Sequence, residues 1–322
     1  MEDKAFNIQP ADRLTDVTEY YFSRKLKEVA AMNAEGKDVI SLAIGSPDMP
    51  PSPETVETLC QEAKKPTAHW YQPTIGIPEL RRAMSGFYKR WYGVDLEPNN
   101  EIQPLIGSKE GILHVTLAFV NVGDEVLVPN PGYPTYTSLS KLLGAKIVNY
   151  DLLPENDWQP DFEQLEKMDL SHVKLMWTNY PNMPTGARAR RETYERLVDF
   201  ALRHNIIVVN DNPYSFILND HPLSILSVEG AKECCIEFNS MSKSHNMPGW
   251  RIGMLASNKQ FVEWILRVKS NMDSGMFRPM QMAAVQALNA PKEWYQQMNK
   301  VYSARRALAQ EILENPVTNQ VD

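Results

Sequence analysis

The chain has 322 residues, is 43% apolar and carries a formal net charge of −7. That length buries a sizeable core without staples, and an acidic balance with no basic run among aromatics argues against nucleic acid as a partner. Cys60, Cys234 and Cys235 form no disulfide framework or metal spacing, the charged start at Met1–Lys4 has no apolar core behind it, and no apolar run is long enough to span a membrane, so a cytoplasmic setting is expected.

Residues 13–35 have helical spacing and stop at Gly36. Asp38–Ile44 reads as a short strand ending in the tight turn Gly45–Asp48, where Gly45 either lets a ligand approach the backbone or only makes the turn. A helix over 53–64 with Pro53 near its start is followed by the aromatic, irregular stretch His69–Gly76. Leu80, Met84, Phe87 and Trp91 recur three or four apart and predict a helix over Ile77–Trp91 with a core-facing stripe. Glu101–Ile106 predicts a strand running into Gly107-Ser108-Lys109-Glu110-Gly111 and a helix to Val120. Such a turn aims free backbone N–H groups at an anion, although Ser108 could equally be an ordinary N-cap. The strand Asp124–Pro129 leads to Asn130-Pro131-Gly132-Tyr133-Pro134-Thr135-Tyr136 and a helix closed by Gly144. Tyr133 sits at a strand C-terminus, the ligand-binding edge of open α/β sheets, where it is either structural or a stacking platform.

Further strands are expected at Lys146–Tyr150, Val173–Thr178, Ile206–Asn210, Cys234–Phe238 and Ile252–Ala256, with helices at 160–167, 190–204, 258–273, 276–289 and 291–314. Strands alternating with helices predict an α/β fold with a mainly parallel, doubly wound sheet.

The stretch from Phe238 to Arg251 sets Lys243 between Ser240, Ser242 and Arg251. A lysine of lowered pKa is a good imine-forming amine, and hydroxyls with a guanidinium suit a phosphate. An amine beside a phosphate site points to a phosphorylated aldehyde, pyridoxal 5'-phosphate. The remaining candidates fit the same cofactor. The Ser108 and Lys109 amides, Ser240, Ser242 and Arg251 would take the phosphate, and Tyr133 would stack on the ring. Asp211 would pair with the ring nitrogen, and Tyr214 would donate to the ring hydroxyl oxygen.

On these residues the chain resembles the fold-type-I, class I/II aminotransferases, the aspartate aminotransferase-like family. The resemblance rests on four blocks in family order: G-S-K-E-G at 107–111, N-P-G-Y-P at 130–134, D-N-P-Y at 211–214, and S-M-S-K with Arg251 eight residues on. The stretches around 105–136 and 238–251 are similar to the diaminopimelate and alanine aminotransferase-like branch. The resemblance implies a seven-stranded, mostly parallel sheet and Lys243 as the Schiff-base lysine and proton shuttle. It implies that Gly45 lies near the substrate carboxylate and that Tyr71 reaches the phosphate of a neighbouring subunit, hence a homodimer. It also implies an N-terminal arm and small-domain segment over 1–48, a large domain over 49–290 and the start of a small domain over 291–322. No metal is implied.

Two departures stand out. Met183 occupies the place of the family's ring-binding asparagine in Pro181-Asn182-Met183-Pro184-Thr185-Gly186, and a thioether is a poor substitute; Asn182 is the candidate replacement. The arginine that clamps the substrate carboxylate is expected in a small-domain segment beyond Asp322, and Arg278, Arg305 and Arg306 do not match it. The expected function is transfer of an amino group between an L-amino acid and a 2-oxo acid. The alternatives are a cofactor-binding dimeric module without turnover, or a lyase or decarboxylase using the same cofactor residues.

Overall fold

In the computed structural model of the chain, which describes residues 7–15, 17, 19–42 and 44–314, seven strands form one sheet. They are β1 (Ile102–Leu105), β2 (Glu125–Asn130), β3 (Lys146–Asp151), β4 (Val173–Asn179), β5 (Ile207–Asp211), β6 (Cys235–Ser240) and β7 (Gly253–Ala256), in the order β1-β7-β6-β5-β4-β2-β3. β7 is antiparallel to β1 and β6, and every other pairing is parallel. The C-terminal ends of β1, β2, β4, β5 and β6 therefore share one edge with the start of β7. The order reverses between β2 and β4, where open sheets leave a crevice for a ligand.

The helices are α1 (Tyr21–Ala34), α2 (Pro53–Ala63), α3 (Pro78–Tyr92), α4 (Ser108–Phe119), α5 (Pro134–Leu142), the short α6 (Phe162–Leu165), α7 (Arg191–His204), the short α8 (Ala231–Cys234) and α9 (Met241–Ser244), α10 (Lys259–Lys269), α11 (Arg278–Leu288) and α12 (Lys292–Glu314). α3 shows why such segments are helical. Pro78 opens it, Lys89 and Arg90 offset the dipole in its last turn, and left-handed Gly93 ends it by donating its N–H to the Lys89 carbonyl. Leu80, Met84 and Phe87 from its expected stripe are fully buried.

The strands alternate their side chains between two cores. On one face Ile112 and Val115 of α4, Tyr136 of α5 and Val262 and Ile265 of α10 pack on Val126, Leu175, Val209, Ile236 and Leu255. On the other, α3, α7, α11 and the start of α12 cover Leu127, Met176, Val208, Cys235 and Met254. Each fully buried aliphatic or aromatic side chain contributes about 1.5–3 kcal/mol relative to exposure, so the two layers fix the sheet edge on which the candidate residues stand.

Three sequence expectations need correction. Asp38–Ile44 contains no strand among its described residues: Ile40 is 82% and Leu42 93% exposed, and no neighbouring strand completes their ladder. The helix expected over 13–35 is shorter; it begins at Tyr21, with only one 3-10 turn at Asp12–Leu14 before it. The helix at 160–167 shrinks to α6, capped by the Asp161 carboxylate. Met1–Lys4 and residues 315–322, to which expectations about a signal peptide and the small domain referred, lie outside the described residues. Among the described residues no helix is long and apolar enough to cross a membrane.

Candidate active site

Lys243 is held by the strand–helix junction that precedes it. β6 ends at Ser240, whose hydroxyl caps α9 by accepting the Ser242 N–H at 3.2 Å. One turn later the loop is pinned from α12: Trp294 Nε1 donates to the Ser244 carbonyl at 3.0 Å, and the Tyr295 hydroxyl lies 3.0 Å from buried His245. With both flanks fixed, the Lys243 amine reaches across to the Gly45 carbonyl at 2.7 Å and stands 5.9 Å from the centre of the Tyr214 ring. Burial, and secondarily Arg251, lower its pKa. A lowered amine pKa favours the nucleophilic free base.

Arg251 closes the anion end. Its guanidinium donates to the Pro248 carbonyl at 3.0 Å and lies 3.5 Å from the Ser242 hydroxyl. It also lies over the turn at Gly107, where φ is +78° and ψ is 153°, a conformation that essentially only glycine adopts. A Cβ at Gly107 would collide with that guanidinium, and one on Gly253 would press on the Ser108 amide nitrogen. The first turn of α4 thus faces Arg251 with Ser108 and Lys109 at its start, where free N–H groups gather. Burial and then Arg251 lower the Lys109 pKa, and its amine sits 3.9 Å above the Tyr20 ring.

At the opposite end Asp211 terminates β5 and is 4% exposed. Its Oδ2 accepts the Tyr136 hydroxyl at 2.9 Å, while its Oδ1 is buried without a partner. Burial pushes its carboxyl up to about 7; the Tyr136 hydrogen bond opposes this and Glu237 adds to it. Asn179 fixes the backbone here, donating to the Asp211 carbonyl and accepting the Met183 N–H, both at 2.7 Å. Tyr133, the N-cap of α5, packs edge-on against Tyr136 and lies 3.3 Å from the Tyr20 hydroxyl. The Tyr214 hydroxyl is pushed up to about 12 by burial and then by Asp211, so it stays a proton donor.

One sheet edge therefore brings together Ser108, Lys109, Tyr133, Asp211, Tyr214, Ser240, Ser242, Lys243 and Arg251, with the Gly45 carbonyl against the lysine. Two candidates stand apart. Tyr71 is 94% exposed in this chain. Asn182 spends its carboxamide oxygen within its own loop, accepting from the Thr185 N–H and hydroxyl, and its Nδ2 is buried without a partner. Arg305 is engaged by Asp48 at 2.8 and 3.0 Å, and Arg278 by Glu79. Sequence reasoning missed Tyr136, Tyr20 and Asn179. Tyr136 lies one helical turn beyond Tyr133 in the same motif and was within reach of i, i+3 reasoning; nothing local marks Tyr20.

The residues fit pyridoxal phosphate on their own chemistry. A buried carboxylate oxygen lacks a donor, a guanidinium and glycine-lined turn form a cradle for an anion, and the same sheet edge carries an amine of lowered pKa.

Comparison with known proteins agrees. The family described as aminotransferase class I and II matches residues 37–321. The chain is 43% identical over 305 residues to the LL-diaminopimelate aminotransferase of Dehalococcoides mccartyi, covering 94% of this chain and 79% of that protein. It is 42% identical over 306 residues to the enzyme of that name from Aquifex aeolicus, with the same coverage. Among solved structures, apo BacF from Bacillus subtilis superposes with a TM-score of 0.89 at 36% identity, over 93% of this chain and 77% of that one. A Thermus thermophilus aspartate aminotransferase mutant gives 0.89 at 26% identity, over 96% and 81%.

Proposed function

The chain belongs to the class I and II aminotransferase family, and from that premise we propose which of its residues carry out the transfer and on what donor. The enzyme is a pyridoxal-phosphate-dependent transaminase that moves an amino group between an amino acid and a 2-oxo acid. The cofactor would supply an aldehyde able to condense with an amine and a ring able to draw electron density from the attached carbon.

Lys243 is the catalytic residue. With the cofactor bound, its amine would take the proton from the substrate α-carbon and deliver it to the cofactor's aldehyde-derived carbon, across the nitrogen between them. Its lowered pKa, from burial and Arg251, keeps a share of it unprotonated for that work. Asp211 would hold the ring N–H through its unpartnered oxygen, and a positive partner there would favour its ionised form. Tyr136 keeps the other carboxylate oxygen engaged, so only one is offered. Tyr133 would cover a ring face, Tyr214 would donate to the ring hydroxyl oxygen, and Ser108, Lys109, Ser240, Ser242 and Arg251 would hold the phosphate. Gly45 lies on the substrate side of the lysine. Asn182 stands apart in its own loop, and its unpartnered Nδ2 is the amide donor next in sequence to the one that Met183 lacks.

The observation that carries these roles is the pairing of an unpartnered Asp211 oxygen with a lysine of lowered pKa on one sheet edge. Exposed Tyr71 suits a role in a second copy, which supports a homodimer with shared sites as the working form; a cytoplasmic setting stays part of the proposal. The names of the relatives make LL-diaminopimelate the first donor to test. Half-reactions with LL-diaminopimelate, glutamate and aspartate, followed by absorbance of the bound cofactor, test the donor; conversion by glutamate alone removes diaminopimelate from the reading.

A further inference from the structure

Between α4 and α10 lies a buried ion network that the proposed chemistry does not use. Lys269, the last residue of α10, is 2% exposed. Its amine is 2.5 Å from Glu110 Oε1 and 2.7 Å from Asp273 Oδ2. His114, one turn after Glu110 and fully buried, has its Nε2 3.3 Å from Glu110 Oε1. Burial and then Lys269 hold that imidazole neutral, with its pKa pushed down to about 4. Glu110, His114 and Asp273 could together ligate a cation, but the Lys269 amine already bonds both carboxylates and serves as their counter-ion.

The second Glu110 oxygen matters more. Oε2 accepts the backbone N–H of Ile106, immediately before Gly107. Gly107 is the N-cap of α4 and has no side chain to cap with, and Glu110 in the first turn reaches back past it to tie the residue before it. Lys269 fixes Glu110, and Glu110 fixes the entry to the anion-binding turn. The same lysine holds Asp273, and two residues on the Gly275 N–H donates to the Gln72 carbonyl at 3.2 Å, beside Tyr71. A Cβ on Gly275 would collide with the Gln72 and Pro73 carbonyls, so this contact is close and specific.

We propose that Lys269 and Glu110 are positioning residues that pre-set the Gly107–Lys109 turn, and the irregular segment carrying Tyr71, for the phosphate of the cofactor, so that their removal costs phosphate recognition specifically. The inference rests on the cofactor reading above. An anion held by backbone N–H groups depends on their pre-set geometry. The Glu110 carboxylate anchors that geometry only while Lys269 neutralises it in a dry site.

The test uses cofactor-free protein titrated, through tryptophan fluorescence, with pyridoxal phosphate and with pyridoxal, which lacks the phosphate. Wild type binds the phosphorylated form more tightly. Lys269→Met loses roughly tenfold in affinity for pyridoxal phosphate, the scale of one charged hydrogen bond, with pyridoxal affinity unchanged, and Lys269→Arg restores part of the preference. Glu110→Gln, which keeps an oxygen for the Ile106 N–H, loses less and carries the comparison if Lys269→Met does not fold. Equal losses for both ligands, or an undiminished preference for the phosphate in the variants, overturn the inference and leave the cofactor reading standing. A wild-type protein indifferent to the phosphate overturns both.

Discussion

The Tyr136 hydroxyl donates to Asp211 Oδ2 at 2.9 Å across 75 residues of chain, and the Tyr136 ring stacks on Trp177 at 4.9 Å with the planes 6° apart. The stack sets the ring and the ring sets the carboxylate, so the free oxygen of Asp211 has one direction. Tyr136→Phe keeps the stack and removes the hydrogen bond that most opposes the rise of the Asp211 pKa. Cofactor affinity should fall roughly three- to tenfold, and the visible band of the bound cofactor should titrate differently with pH. An unchanged titration would show that Tyr136 only packs.

Asp211 also makes a stability prediction. Its folded pKa of about 7 lies above the ordinary aspartate value of 3.8, chiefly through burial. Between those values the folded, cofactor-free chain holds a proton that the unfolded chain releases. The stability from this group is therefore full below the unfolded value and is lost as pH rises through the folded value. Glu110, also pushed up to about 7 by burial, and Glu237, raised by burial, act in the same direction. Thermal melts of cofactor-free protein should fall between about pH 4 and pH 7. Asp211→Asn should flatten part of that slope while losing cofactor affinity. A slope unaffected by the substitution would remove Asp211 as its source.

Gly107→Ala combines an unfavourable backbone conformation with a collision against Arg251. It should cost about 1–3 kcal/mol in stability and weaken pyridoxal phosphate more than pyridoxal, because the displaced guanidinium serves the phosphate. Urea melts and paired titrations check both parts.

Tyr71 is exposed, so Tyr71→Phe should change stability by no more than about 0.5 kcal/mol. In the proposed dimer it should nonetheless weaken cofactor binding. Sedimentation measures the assembly, and titration of the variant measures the shared site. A monomer with full cofactor affinity would remove Tyr71 from the site.

Much of this arrangement is legible in the amino-acid sequence. The loops after β1, β2, β5 and β6 carry their chemistry in short contiguous blocks, and a parallel sheet delivers such loops to one edge. Relationships between distant residues were not legible. Tyr136 meets Asp211, and Glu110 meets Lys269 across 159 residues; both pairings depend on which elements cross. The segment Asp38–Ile44 misled for a related reason. Its apolar residues have strand character, but a strand exists only when a neighbour completes its ladder, and Ile40 and Leu42 remain exposed. Tyr20 was missed because it precedes a helix with no buried residue, and it is marked only by what it touches.

The most direct test of the central claim is covalent. Protein incubated with pyridoxal phosphate is reduced with borohydride, digested and mapped by mass. The account predicts one phosphopyridoxyl group on the peptide containing Lys243, with none on Lys243→Ala protein. Label on Lys109, on another lysine, or on none would contradict it.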